Sequence, residues 1–179
     1  MKRSRVLTYA VALIILGAIA YLLPHSACTV TTSHWTLRGS SLSGVLESGQ
    51  EVTAHTGYYA CHMPAHNEIV IYAMPGRAEP LMKIIKGVPG DQFNVRKTEE
   101  GNEIFINNEK LLTTTDRPYI ISDNRLEYLS GYEKKYNGRV PEGYAFILGN
   151  VPGGSVDSIL FGFVQIKDLV ARVDWPTRH

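Results

Sequence analysis

Three serines, Ser40, Ser41 and Ser43, fall within four residues in the stretch "LRGSSLSGV", between Gly39 and Gly44. A serine hydroxyl attacks a carbonyl only when a nearby base takes its proton. Without one, the stretch is a polar turn. Histidine is the usual base, and the chain has six: His25, His34, His55, His62, His66 and His179. None stands in a setting that marks a Ser-His-Asp triad, although triads assemble in three dimensions and spacing does not exclude one. "HTGYYACHMPAH" gathers His55, Cys61, His62 and His66, a metal-ligand composition. Pro64 breaks helical spacing between the last two histidines and no second ligand cluster appears, so neither a metal nor a cofactor is expected.

Lysine is the other base. In "EPLMKIIKGVPGDQF", Lys83 interrupts an otherwise apolar run from Leu81 to Ile85. On a strand, Lys83 and Ile85 share one face. If that face is buried, loss of hydration disfavours the ammonium and lowers its pKa from about 10.4. A neutral amine can then accept a serine proton. The alternative is a snorkelling lysine whose stem covers a sheet edge. Lys86 is the internal control: it faces the other way beside a glycine turn and is expected to be solvated and charged. Asp91, ending the Pro89-Gly90 turn, reads as a turn-stabilising side chain.

These residues need elements to hold them. Lys2, Arg3 and Arg5 form a basic tail, residues 1–5, ahead of 18 uncharged residues, Val6 to Leu23. As a helix that run is roughly 27 Å long, enough to span a bilayer. The basic flank keeps the N-terminus cytoplasmic and sends the rest across, which predicts a single-pass inner-membrane protein with an extracytoplasmic domain in contact with lipid. The competing reading, a cleaved signal peptide, needs a shorter apolar core and small residues at the cut; here His25 occupies such a position. Residues 24–38 read as a linker and 39–179 as one domain, a size able to bury a core. Cys28 and Cys61 are either a disulfide or two separate thiols. Eighteen Lys plus Arg against 17 Asp plus Glu give a net charge of +1 with no basic stripe, so no nucleic-acid partner is expected.

Beyond residue 23 the pattern is short β-type runs. "NEIVIYAM" is apolar and β-branched; "DQFNVRK" and "NEIFIN" alternate around "TEEGN"; "NNEKLL" follows an Asn107-Asn108 hairpin turn. "GYAFILGN" and "LFGFVQIKDLVARVDW" supply further strands. "SDNRLEYLSGYEKKYNGRVPEG" is polar and weakly patterned, and reads as a long loop with a short helical turn around Leu126 to Leu129. The fold class is mostly β, a folded sheet or barrel.

Three segments, in order, resemble the boxes of the type I signal peptidases, the S26 family of membrane-anchored Ser-Lys proteases. "GSSLSGVL" is similar to the nucleophile box, with Leu42 where methionine is common. "MKIIKGVPGDQF" is similar to the lysine box through Gly87, Pro89, Gly90 and Asp91. "GYAFILGNVPGGSVDSILFGFV" is similar to the last box at Gly149, Ser155, Asp157 and Ser158. The resemblance implies a signal-peptidase-like β fold, Ser41 as nucleophile, Lys83 as general base and Ser155 as the hydroxyl orienting the lysine. It implies that Asp157 and Ser158 order the loop carrying Ser155. The Ser41 N–H would form part of the oxyanion hole; Gly39 stands where some relatives carry a serine donor, and Ser40 is a lesser substitute. Ile84, Asn150 and Ile159 replace charged residues usual in the family, so both ends of its salt bridges are lost together and no buried charge is orphaned. Those departures, with the short length, resemble the conjugative-transfer branch that matures pilins. The implied partners are a preprotein or prepilin, and the implied reaction is leader-peptide cleavage, with pilin cyclisation a variant. A non-catalytic assembly partner with the same fold is the alternative.

Overall fold

The computed structural model describes residues 28–175; the basic tail and the apolar run 6–23 lie outside the described residues. Among the described residues no helix is long and apolar enough to cross a membrane. Eleven strands are described: β1 Thr31–Thr36, β2 Glu51–Thr56, β3 Ile69–Tyr72, β4 Leu81–Gly87, β5 Phe93–Lys97, β6 Asn102–Ile106, β7 Glu109–Lys110, β8 Ile120–Ile121, β9 Tyr144–Leu148, β10 Val164–Gln165 and β11 Leu169–Val173. Two helices join them, α1 Asp123–Lys135 and α2 Ser158–Phe161. One sheet has the order β1-β2-β11-β3-β4-β9-β10; a second has β5-β6-β7, with β8 on the other part of β6. Every pairing is antiparallel. The expected mostly β class holds.

β4 runs between β3 and β9, and all seven of its residues are buried. Side-chain alternation divides it between two cores. Met82 and Ile84 pack with Leu37, Leu42, Leu46 and Ile71, while Leu81 and Ile85 pack with Val70, Tyr72, Ile147 and Val164. A third core joins the small sheet to α1 through Phe93, Ile104, Tyr119, Leu129 and Phe146. The two sheets meet near Gly87. A Cβ there would lie 3.1 Å from Ile106, 3.2 Å from Phe146 and 3.2 Å from Val140, so only glycine passes without a shift.

The Asn107-Asn108 turn is as expected: both residues have positive φ (53° and 67°), the signature of a two-residue hairpin. Four expectations are corrected. The segment 24–38 is not all linker, because β1 pairs with β2 along its whole length, from Thr31↔Thr56 to Thr36↔Glu51. β1 is an edge strand whose residues are polar apart from Trp35, so it lacks the apolar alternation that marks a strand. The stretch read as a long loop contains the 13-residue helix α1. Its stripe of Leu126, Leu129, Tyr132 and Tyr136 packs on the third core, while Gly131 and many charges dilute the pattern. Asp123 in its first turn and Lys134 and Lys135 in its last suit the helix dipole.

The third correction concerns Lys86, which is buried rather than solvated. The β4–β9 register shifts between Ile85 and Gly87, and this bulge turns Lys86 inward, where its ammonium donates to Asn67 Oδ1 at 3.2 Å. The fourth is at Ser155 and is described with the site. Of the two alternatives for the cysteines, the disulfide is the one present: Cys28 is bonded to Cys61, with Cα atoms 5.7 Å apart.

Candidate active site

The turn after β1 delivers Ser41. Gly39 takes φ +86°, which a side chain disfavours, and redirects the chain. A helical turn follows, with Ser43 N–H donating to Ser40 O and Leu46 N–H to Leu42 O. Leu42 is fully buried in the first core and holds the turn down. The Asn150 N–H donates to Ser41 O at 2.6 Å, tying the serine's main chain to the end of β9. Of the three serines, Ser43 points its hydroxyl at Glu47 Oε2, Ser40 is exposed, and Ser41 faces β4.

Lys83 arrives from β4, opposite Val70 of β3, with 2% of its surface exposed. Its Nζ donates to Ser41 Oγ at 2.7 Å. Once the amine loses a proton the direction reverses, and the hydroxyl donates to nitrogen. Burial pushes the Lys83 pKa down to about 8; the Asp157 carboxylate opposes this and the Arg77 guanidinium adds to it. A substantial share of these side chains is therefore neutral near pH 8, unlike a solvated lysine.

The last box forms the floor. Asp157 is fully buried and its carboxylate accepts three hydrogen bonds. Oδ2 accepts from Ser155 Oγ at 2.6 Å and from Gly149 N–H at 3.0 Å; Oδ1 accepts from Ile159 N–H at 3.0 Å and caps α2, with the Asp157 backbone extended. Ser158 Oγ accepts from Ile147 N–H at 2.9 Å, locking the loop to β9. Asp157 and Ser158 thus tie this loop to β9 and α2 by hydrogen bonds. Ser155 differs from expectation. Its hydroxyl donates to Asp157 instead of meeting the lysine amine, because the carboxylate is the stronger acceptor.

Gly149 is where these parts touch. A Cβ on it would lie 2.5 Å from Ser155 Oγ and 2.7 Å from Ser41 O. Asn150, next to it, is fully used: its Oδ1 accepts from Thr114 N–H, and its Nδ2 donates to Ser43 O and Thr114 Oγ1. Tyr119, also buried, donates to Gly149 O at 2.6 Å. Burial raises the Tyr119 pKa further, with the Asp157 charge in support, so the phenol keeps its proton. Tyr119, Thr114 and the ligating role of Asn150 escaped the sequence reading. Asn150 was visible only as a departure from a box, and its bond to Ser43 joins residues 107 apart. Ile84 and Ile159 are both buried among apolar neighbours, each in a different core, so neither position needs a charge partner.

A groove of about 400 Å³ opens onto Ser41 and Lys83. One wall is the end of β1 and its turn, with His34, Trp35 and Leu37; the other is the β3–β4 loop and the start of β4, with Arg77, Glu79 and Met82. The metal-like residues scatter instead. His55 bonds Asp174, His66 bonds Asp91, and His62 Nδ1 lies 3.0 Å from Tyr58 O. Cys61 and Cys28 lie near His62, but their sulfurs are bonded to each other. Asp91 holds its turn as expected, accepting from Val88 N–H and Asn107 Nδ2.

The profile of the family described as signal peptidase, peptidase S26, matches residues 6–177. This chain belongs to that family. It is a serine peptidase of the S26 class, and Ser41 and Lys83 lie in its matched segments. Signal peptidase I of Bacillus caldolyticus is 29% identical over 171 residues, covering 86% of this chain and 88% of its own. Signal peptidase IB of Staphylococcus aureus (strain COL) is 25% identical over 174 residues, covering 89% of this chain and 86% of its own. A crystal structure of a signal peptidase I from Enterococcus faecalis aligns with 63% of this chain and 98% of its own, at 23% identity and a TM-score of 0.40; the family assignment rests on the profile, not on this overlap.

Proposed function

We propose that this S26 peptidase is a membrane-anchored Ser-Lys endopeptidase that removes leader peptides from exported preproteins. The observation that carries this reading is the 2.7 Å contact between Ser41 Oγ and a buried Lys83 amine whose pKa is near 8. Neutral Lys83 takes the Ser41 proton as Oγ attacks the scissile carbonyl. The Ser41 N–H donates to the developing oxyanion; Gly39 has no side chain to add, and the exposed Ser40 is the nearest substitute. The Lys83 ammonium then protonates the leaving amine, giving an acyl-enzyme and a released peptide. Water, deprotonated by Lys83, resolves the ester and regenerates both groups. The Asp157 carboxylate, held by Ser155 and Gly149, acts on the lysine through its charge. An amine in place of water would cyclise the product.

Anchoring by the apolar run 6–23 supports this chemistry physically. It holds the site at the membrane surface, where tethered substrates are locally concentrated. Prepilins are a narrower substrate class, supported by the last box keeping Ser155, Asp157 and Ser158 while Asn150 and Ile159 replace charges. The alternative of a non-catalytic assembly partner has to explain a lysine held dry against a serine. Wild type, Ser41→Ala and Lys83→Ala are compared for conversion of a co-expressed preprotein, with a prepilin in parallel. The peptidase reading expects conversion by wild type alone; equal processing by all three overturns it.

A further inference from the structure

The groove at Ser41 is lopsided in charge. Its lining holds two arginines and one acid beside Lys83, with His34 at the far wall. Arg38 is committed: its Nη1 donates to Glu79 Oε1 at 3.1 Å across the mouth, pairing a residue after β1 with one in the β3–β4 loop. That pair cancels itself. Among the described residues Arg77 is in no salt bridge, yet it lines the same groove and its charge is felt by Lys83. The groove therefore presents one uncompensated guanidinium beside the reacting groups. A bound carboxylate is its natural partner, and a bound ammonium is repelled.

We infer that Arg77 is a specificity-determining residue that makes the groove select substrates carrying an acidic side chain near the scissile bond. The inference rests on the Ser-Lys reading of the site. Arg77 is exposed, so the interaction is partly screened and the preference is modest, about 3- to 10-fold at low salt. It has a second consequence. A carboxylate bound against Arg77 masks the charge that discourages protonation of Lys83, so the amine becomes a stronger base once such a substrate is in place. The charges felt at Lys83 are those of Asp157 and Arg77, and of the two only Arg77 lines the groove.

The test uses the full chain in detergent micelles and internally quenched peptides with small residues around the cut. Glu, Gln or Lys is placed in turn at each position within three residues of the scissile bond. We expect kcat/KM to fall in the order Glu, Gln, Lys at one or two adjacent positions, with the spread narrowing as salt rises. Arg77→Gln should collapse the Glu-to-Lys ratio towards one, and Glu79→Gln, which frees Arg38, should widen it. The rising limb of kcat against pH should lie at higher pH for the Glu peptide than for the Gln peptide in wild type, and coincide for the two in Arg77→Gln. Fluorescence anisotropy of the same peptides on Ser41→Ala gives the preference without turnover. An unchanged Glu-to-Lys ratio in Arg77→Gln overturns the inference while leaving the peptidase intact. Cleavage by Ser41→Ala equal to wild type overturns the Ser-Lys reading itself, and the inference with it.

Discussion

Lys83 and Lys86 sit three residues apart on one strand, both are buried, and burial lowers the pKa of both. Their surroundings separate them. The Lys83 amine meets a hydroxyl, a group that can give up a proton, at the floor of an open groove. The Lys86 amine meets Asn67 Oδ1, a neutral acceptor that has nothing to give and favours the ammonium. Desolvation alone therefore does not make a catalytic base. It makes an amine available, and the neighbour decides whether that availability is chemistry or packing.

The largest effect that could break this contrast is on turnover. Lys83→Ala and Ser41→Ala should each lower kcat/KM by at least about 10³-fold, whereas Lys86→Ala should cost under about 10-fold, measured on one quenched peptide. Comparable losses at 83 and 86 would erase the distinction. Next is Gly149→Ala. Its new methyl would press on Ser155 and on the Ser41 carbonyl, displacing Ser41 from the lysine, and we expect about 10²-fold lower kcat with folding retained by circular dichroism.

The contrast sharpens with pH. The folded-state Lys83 pKa of about 8 lies below its unfolded value, so between about pH 8 and 10.5 the unfolded chain binds more protons and stability rises with pH. Below that window the buried amine costs the fold roughly 3 kcal/mol, a burden that Lys83→Met removes along with the pH slope, read by denaturant titration. Activity should rise through about pH 8 and then level, and Lys86→Met should leave that limb in place. The smallest effect is at Asp157→Asn. Removing the charge that supports the ammonium should move the activity limb to lower pH, with some loss of stability from the weakened cap on α2.

What the sequence showed depended on how local each signal was. Lys83 announced itself because one charge in an apolar strand conflicts with its neighbours, and the Asn107-Asn108 turn because two consecutive positive-φ residues suit asparagine. Lys86 misled because its fate depends on a bulge, which is a relation between β4 and β9 and not a property of either. β1 was silent because its residues are polar and its regularity comes from β2. α1 was missed because its apolar stripe is thin and mixed with charges. At the site, Ser41 could be singled out from its two neighbours only by resemblance; the packing of Leu42 and the bond from Asn150 that turn it towards β4 come from distant chain. Ser155 was expected beside the lysine amine; that its hydroxyl donates to Asp157, which also accepts from Gly149, is a fact of the folded loop.

The bond between Cys28 and Cys61 gains meaning from what lies downstream. β1 is a largely polar border strand that buries little of its own surface, and Ser41 follows it by only five residues. Fastening the chain just ahead of β1 closes a loop of about thirty residues, a restraint on the order of 4 kcal/mol, and denies that border its easiest route to peeling away. Oxidation at one edge of the molecule thus sets how long Ser41 stays in place, and a dithiol reductant should slow peptide cleavage while every group that touches the peptide remains chemically unchanged.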